Sequence, residues 1–362
     1  MRILHTSDWH LGKNVNNYSM LEDQKYILNQ IKEICISHQV DVIIISGDIY
    51  DRAVPSYEAM RVLEDFLYEM INVHHKKIVM ITGNHDNERL GFGSKLFEKS
   101  ELYIASSITD IMIDGVRFYL IPYFNLYQFR DMFKMNFSNT EEAYKYIISN
   151  VNLNKETYNI LVAHDYVTFN HEVIKDEVSE SIGGAEFVDA SIFEEFNYVA
   201  LGHLHGNHRI MKDHIRYSGS ILKYSFSEVN QKKSVTIIDT YNTFYHVDLK
   251  PRRDMVIIKG LLEELIDPSF YSQYDYENDY FKAVILDKGE VIDAFSKLKA
   301  IYPNLMEIYK ESLNINLNNL KRDMLEKSKT DLFKDFYLDV TGTYLEEDEL
   351  AIIKENLKEE SR

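Results

Sequence analysis

Five stretches of this chain place side chains that bind metals directly after an apolar run. Asp8-Trp9-His10 follows Arg2–Ser7, Gly47-Asp48 follows Val42–Ile45, and Gly83-Asn84-His85-Asp86 follows Lys77–Thr82. His164 closes Tyr158–Ala163, and Gly202-His203-Leu204-His205 closes Asn197–Leu201. Singly each is commonplace: a D-x-H recurs by chance, and an acid at the end of a strand more often caps a turn. The series carries more weight. In open α/β sheets chemistry gathers just past the carboxyl ends of the strands. The order therefore gathers Asp8, His10, Asp48, Asn84, His164, His203 and His205, with His85, along one sheet edge.

Such a set suits two divalent cations. Ions roughly 3.5–4 Å apart need shared negative charge between them, and Asp48, central in the order of strands, is the candidate bridge. His10 and His205 each stand two residues from another candidate ligand, and on extended backbone alternate side chains share a side. Imidazole with carboxylate and amide oxygen suits manganese, iron or zinc, and the lack of thiolates argues against a structural zinc. Ions so held polarise a phosphoryl oxygen and produce hydroxide near neutral pH. His85 has a different expected role. Asp86 would orient its ring and favour the charged form, and a histidine beside the metals protonates the leaving oxygen.

The elements that must position these residues are legible as a strand–helix–strand alternation, which argues for a layered α/β domain. Glu22–Val40 reads as a helix with Ile27, Ile31, Ile34 and Cys35 on one face. A second helix starts at Pro55-Ser56, with Ser56 as N-cap and Glu58 in the first turn. Ile111–Tyr123 reads as a hairpin around Asp114-Gly115. A polar helix is expected near Glu141–Val151 and a long loop over Asn170–Glu186, with Gly183-Gly184. Short strands follow at His214–Tyr217, Ser234–Asp239 and Thr243–Leu249. Pro251-Arg252-Arg253-Asp254 reads as a linker to a small second α/β unit. That unit has strands Met255–Lys259 and Phe281–Leu286 and helices Leu261–Ile266 and Val291–Ile301. After a hinge at Asn314–Asn319 come two amphipathic tail helices. One carries Leu332, Phe333, Phe336 and Tyr337 from Thr330 onward, the other Leu350, Ile353 and Leu357, and they dock either on a partner or back on their own chain.

Composition sets bounds on these readings. The single cysteine, Cys35, excludes an internal disulfide framework and fits a reducing cytoplasm, where it is expected as a buried core thiol. The apolar runs fall short of a membrane span, and the N-terminus enters a strand rather than a signal peptide. A net charge of −18, from 58 acids and 40 bases, speaks against gripping nucleic acid by bulk electrostatics. Bound cations or a local basic cluster can reverse the sign at one site.

With these motifs in hand, the chain resembles the calcineurin-like metallophosphoesterase superfamily. Its HTSDWHLG, GDIYDRAVPS and GNHD stretches are similar to those of the SbcD family of nuclease subunits. The resemblance implies a metallophosphoesterase β-sandwich flanked by helices over residues 1–250, a small α/β capping domain over 251–312 and a partner-binding helical tail over 313–362. It implies one metal on Asp8, His10, Asp48 and His205, another on Asp48, Asn84, His164 and His203, and His85 as the catalytic histidine, with Asp86. It also implies two Mn²⁺ ions, a homodimer, an SbcC-type coiled-coil ATPase as partner, and cytoplasmic, nucleoid-associated work in DNA repair and recombination. The expected activity is that of a DNA exonuclease on ends and an endonuclease on single strands and hairpins. Lys13, Arg52, Arg89, Lys95 and the pair Arg252/Arg253 are candidates for phosphate contacts, while His208 is left outside the ligand set. Two rivals stay open: a phosphoesterase for small molecules or phosphoproteins, and a DNA-end scaffold whose metals only order the fold.

Overall fold

The computed structural model describes residues 1–170, 172, 187–241, 243–289 and 291–311, and beyond these only 333, 334, 337, 349 and 350. Most of the expected 170–186 loop, the hinge Asn314–Asn319 and the two tail helices, isolated positions aside, thus lie outside the described residues.

The strand Val42–Ser46 shows how sequence builds the layers. All five of its residues are buried. Val42 and Ile44 pack toward a second sheet, and Ile43 and Ile45 toward helices. Each such side chain contributes roughly 1.5–3 kcal/mol by leaving water. Its sheet runs in the order Thr243–Asp248, Ser234–Asp239, Arg2–Thr6, Val42–Ser46, Lys77–Ile81, Leu102–Ala105. Arg2–Thr6 pairs in parallel with Val42–Ser46 and antiparallel with Ser234–Asp239. The second sheet runs Ile215–Tyr217, Tyr198–Gly202, Tyr158–His164, Val116–Ile121, Thr109–Ile113.

Between the sheets lies a core of Ile3, Val79, Phe118, Ile160, Val162 and Ala200. Helices Leu21–Ser37 and Tyr57–Tyr68 cover the outer face of the first sheet through Ile27, Ile31, Cys35, Val62 and Phe66. On the far side, Phe129 and Tyr144, from helices Leu126–Phe133 and Thr140–Ser149, cover the second. The result is a helix–sheet–sheet–helix sandwich. Ser56 caps its helix as read, accepting the Ala59 amide at 3.2 Å. Among the described residues no helix is long and apolar enough to cross a membrane.

Met255–Gly260, Tyr280–Ile285 and Leu305–Lys310 form a separate three-stranded parallel sheet over its own core of Ile258, Leu265, Phe281, Leu298 and Tyr302. Its third strand and the helix Leu126–Phe133 escape the sequence reading. The strand LMEIYK mixes charges into its apolar alternation, and the helix is only eight residues long. The small unit is tied to the sandwich at the fully buried Asp23, which accepts from Arg253 Nε at 3.1 Å and the Tyr280 hydroxyl at 2.8 Å.

Candidate metal centre

Strand ends deliver the functional side chains, and apart from His164, which closes its own strand, several of them leave extended backbone. Asp8, His10, Asp48 and His203 all have positive φ, at 51°, 45°, 48° and 110°. The expectation that His10 meets Asp8 by strand alternation is therefore corrected. The chain leaves its strand and coils left-handed, and this aims both side chains inward. Conformations of this kind are costly for residues other than glycine and persist where the surroundings over-determine them. Here Asp8 N and His10 N donate to the Gly47 and Asp48 carbonyls at 3.1 and 2.9 Å. The buried Gln24 amide reaches the His10 carbonyl at 2.8 Å and accepts from Gly12 N at 3.0 Å. Close packing demands glycine around the site, Gly83 against Asp48 included. Gly47 has φ of 87°, and a Cβ there would strike the His164 ring, while a Cβ on Gly202 would strike the Ser46 carbonyl.

All seven candidate ligands converge. Asp8, His10 and His205 form one group and Asp8, Asp48 and His164 another, with ligand atoms within 4.8 Å of each other in each. Asp48 Oδ2 stands 3.6 Å from His10 Nε2 and 3.5 Å from His164 Nε2, between the two sides. Asn84 Oδ1 lies 3.0 Å from His164 Nε2 and 3.1 Å from His203 Nδ1. His203 N donates to the Asp8 carboxylate at 3.0 Å. A third group joins His10, Asp51 and His85.

Hydrogen bonding decides which ring nitrogens are free. His164 Nδ1 is 2.8 Å from the Ser46 carbonyl, His85 Nδ1 is 2.9 Å from the Asp51 carbonyl, and His205 Nδ1 is 3.0 Å from Glu228. Those oxygens only accept, so each Nδ1 carries the proton and, in the neutral ring, Nε2 presents a lone pair. The Nε2 atoms of His10 and His205 face one another at 3.1 Å, beside two buried carboxylates. Acceptors crowded into a dry pocket need cations, so the residues present fit divalent metals.

The electrostatics agree. Burial, with the charge of Asp48 adding, pushes Asp8 up to about 6. Burial also opposes ionisation of Asp48, but the charge and hydrogen bond of His164, with His10 and His85, hold it well below the usual carboxylate range. Burial likewise resists a proton on His164, yet Asp48 and Asp8 raise it to about 10. His203, buried and beside His164, is pushed down to about 3.

Three expectations change. Asp86 does not orient the His85 ring; its oxygens accept the Ile49, Tyr50 and Gly83 amides at 3.0, 2.9 and 3.0 Å, pinning two site loops together. Ring orientation falls to the Asp51 carbonyl instead. Lys13 is bound to Asp51 at 2.8 Å and Arg253 to Asp23 at 3.1 Å, so both act as struts. Arg52, Arg89, Lys95 and Arg252 are exposed or nearly so. Sequence reasoning missed Asp51, signalled only by its place three residues after Asp48, and Glu228 with Lys233, which no spacing announces.

Comparison with known proteins adds lineage to this geometry. Residues 1–207 match the family model for calcineurin-like phosphoesterase, and residues 251–341 that described as the type 5 capsule protein repressor C-terminal domain. The chain is 37% identical over 363 aligned positions, 95% of each chain, to the SbcD subunit of nuclease SbcCD from Staphylococcus epidermidis (strain ATCC 12228 / FDA PCI 1200). Two solved structures overlap it loosely. A novel archaeal phosphodiesterase shares 15% identity over 69% of this chain and 100% of its own, with a TM-score of 0.33. Yfce, a phosphoesterase from E. coli, shares 11% identity over the same fractions, with a TM-score of 0.29.

Proposed function

The chain belongs to the calcineurin-like phosphoesterases and, among them, to the SbcD nuclease subunits, and from that premise we propose that it hydrolyses DNA phosphodiesters at a two-metal site. The observation that carries this reading is the convergence of Asp8, His10, Asp48, Asn84, His164, His203 and His205 on one rim, five of them buried, with His203 half-buried, Asn84 exposed and His85 alongside. One ion is assigned to Asp8, His10, Asp48 and His205, and the second to Asp48, Asn84, His164 and His203, with Mn²⁺ the expected metal. When bound, the ions supply Lewis-acid polarisation of the phosphoryl oxygen and a hydroxide nucleophile near neutral pH.

The remaining work belongs to the chain. Asp48 receives the His85 amide at 2.8 Å, which couples the bridging carboxylate to the catalytic loop. The Asp51 carbonyl accepts from His85 Nδ1 and turns the ring so that Nε2 faces the site, where the imidazolium form, with a second proton on Nε2, would pass that proton to the departing sugar oxygen. Replacing His85 by Ala lowers kcat by about 10²-fold or more while leaving KM and Mn²⁺ stoichiometry near wild type.

Residues 1–250 are assigned to catalysis, 251–312 to a cap over the substrate and 313–362 to contact with an SbcC-type coiled-coil ATPase. That partner also supplies much of the DNA-binding surface, which accommodates the net charge of −18. A homodimer is the expected assembly, and the exposed Tyr57, Tyr68, Phe92 and Leu96 are candidates for its interface. The deciding assay offers blocked, free and hairpin DNA ends with Mn²⁺, Mg²⁺ or chelator, with and without the ATPase. Manganese-dependent cutting is the expected result. Hydrolysis of nucleotide esters with none of DNA, even with ATPase and ATP, would refute the reading.

A further inference from the structure

His205 faces two unlike surroundings. Its Nε2 looks into the ligand cluster, and its Nδ1 lies 3.0 Å from Oε1 of Glu228. His164 and His85 rest the corresponding nitrogen on backbone carbonyls, which carry no charge and cannot change protonation. At His205 the acceptor is a side-chain carboxylate. Glu228 is 0% exposed, at the end of the short turn Phe226–Glu228, and a buried charge of this kind needs a counter-charge and hydrogen bonds around it.

Lys233 supplies both. Its ammonium, 6% exposed, lies 2.5 Å from Oε2 of Glu228. The same nitrogen reaches the His205 carbonyl at 2.9 Å, Ser220 Oγ at 2.9 Å and Gln231 Oε1 at 2.7 Å. Lys233 thus grips the backbone of His205 and the partner of its ring at once. Buried ion pairs contribute little net stability as a rule, so an all-polar arrangement here has a geometric rather than a stabilising rationale.

We propose that Glu228 and Lys233 are a positioning pair for one metal ligand: Lys233 ties the Glu228 carboxylate to the His205 backbone, Glu228 accepts from His205 Nδ1, and the ring is thereby oriented and strengthened as an Nε2 ligand for one of the two metal positions. The inference rests on the two-metal reading. A carboxylate behind a ligating imidazole changes metal affinity about 10–100-fold when removed. Since the other ion is assigned to different histidines, the loss falls on one equivalent.

The test uses the full chain stripped of metal and titrated with Mn²⁺ by calorimetry. The double variant Glu228→Gln/Lys233→Met removes both charges together and strands neither. Wild type takes up two equivalents. The double variant keeps one at wild-type affinity and binds the other about 10–100-fold more weakly, with the metal-free melting temperature little changed. Should this variant fail to fold, Glu228→Asp, which keeps the charge but withdraws it from the ring, is expected to show the same one-sided loss. General loosening of the fold would weaken both equivalents alike. Either that result, or two unaltered affinities, overturns the proposal while the two-metal reading stands. Fewer than two equivalents on wild type overturns both.

Discussion

At the rim of the sandwich, Asp8, His10, Asp48 and His203 hold left-handed backbone and crowd like groups into a dry pocket. In the small sheet, Ile258, Phe281, Leu298 and Leu305 are buried with ordinary helix and strand backbone. Local preference and tertiary placement agree in the second region and conflict in the first. Sites that hold substrates or ions are where a chain departs from local rules, the loss being offset elsewhere. The comparison therefore separates two kinds of sensitivity. Substitutions at the rim should damage chemistry and spare stability, and those in the small core should do the reverse.

The largest effect is expected from Asp48→Asn. On the two-metal reading the Asp48 charge is worth several kcal/mol to a metal-stabilised transition state, so nuclease activity falls roughly 10³-fold or more. Asparagine tolerates left-handed backbone well, and losing the pair with His164 is offset by relief of the repulsion at Asp8, so the metal-free protein melts near the wild-type temperature. Activity within tenfold of wild type, or a clear drop in melting temperature, would contradict the contrast.

Phe281→Ala is the mirror experiment. The side chain is fully buried against Tyr302 and Tyr274, so its loss costs about 3–5 kcal/mol of stability. Urea unfolding measures that cost, and Mn²⁺ affinity of the folded fraction should hold. Weaker metal binding would show that the small core and the rim are one unit.

The same contrast explains what the sequence made legible. The apolar period of Val42–Ile45, the Ser56 cap and the Asp114-Gly115 turn each act through neighbours in the chain, so layers and hairpin could be read directly. The ligand set was legible because a metal-type residue follows each apolar run closely, in three of the five cases next to a glycine. The direction of each imidazole was not. It depends on acceptors far along the chain, such as Ser46 for His164 and Glu228 for His205, 118 and 23 residues away. Asp86 misled for the same reason. Adjacency to His85 suggested contact, whereas its carboxylate turns toward the amides of a neighbouring loop. Leu305–Lys310 hid because its exposed face carries the charges.

A smaller effect sharpens the boundary of the site. His5 lies on the strand that leads to Asp8 and is equally buried, but no carboxylate faces it. Its Nδ1 meets the Tyr198 hydroxyl at 3.0 Å, and Nε2 meets no well-formed hydrogen-bond partner among the described residues. Burial pushes it down to about 3 despite the Leu201 backbone contact, with His246 and Arg216 adding to the shift. Below about 6.5 the unfolded chain takes up this proton, and the folded chain does not until about 3. Stability present above that window is therefore lost as pH falls through it, by about 2 kcal/mol at pH 5. His5→Gln removes the group, and its unfolding free energy should fall correspondingly less between pH 7 and 5. Identical losses in the two proteins would mean that His5 does not feel its burial.

The smallest effect tests the seam between the two regions. Asp23 belongs to the first turn of the helix Leu21–Ser37, yet both hydrogen bonds to its carboxylate come from the small unit's side, from Arg253 and Tyr280. Arg253 also lies over the Tyr280 ring, 5.2 Å from its centre, so the three groups brace one another. Asp23→Asn keeps the shape but offers one acceptor oxygen in place of two and removes the charge. The loss is about 1.5 kcal/mol, typical of a hydrogen bond to an ionised group. Because Asp23 touches neither core, that loss should fall on the coupling. Hydrogen exchange should quicken at the amides of Tyr280–Ile285 while those of Val42–Ser46 keep their protection. Equal quickening in both strands would mean that sandwich and small sheet open together, and that the contrast in sensitivity is one of chemistry alone.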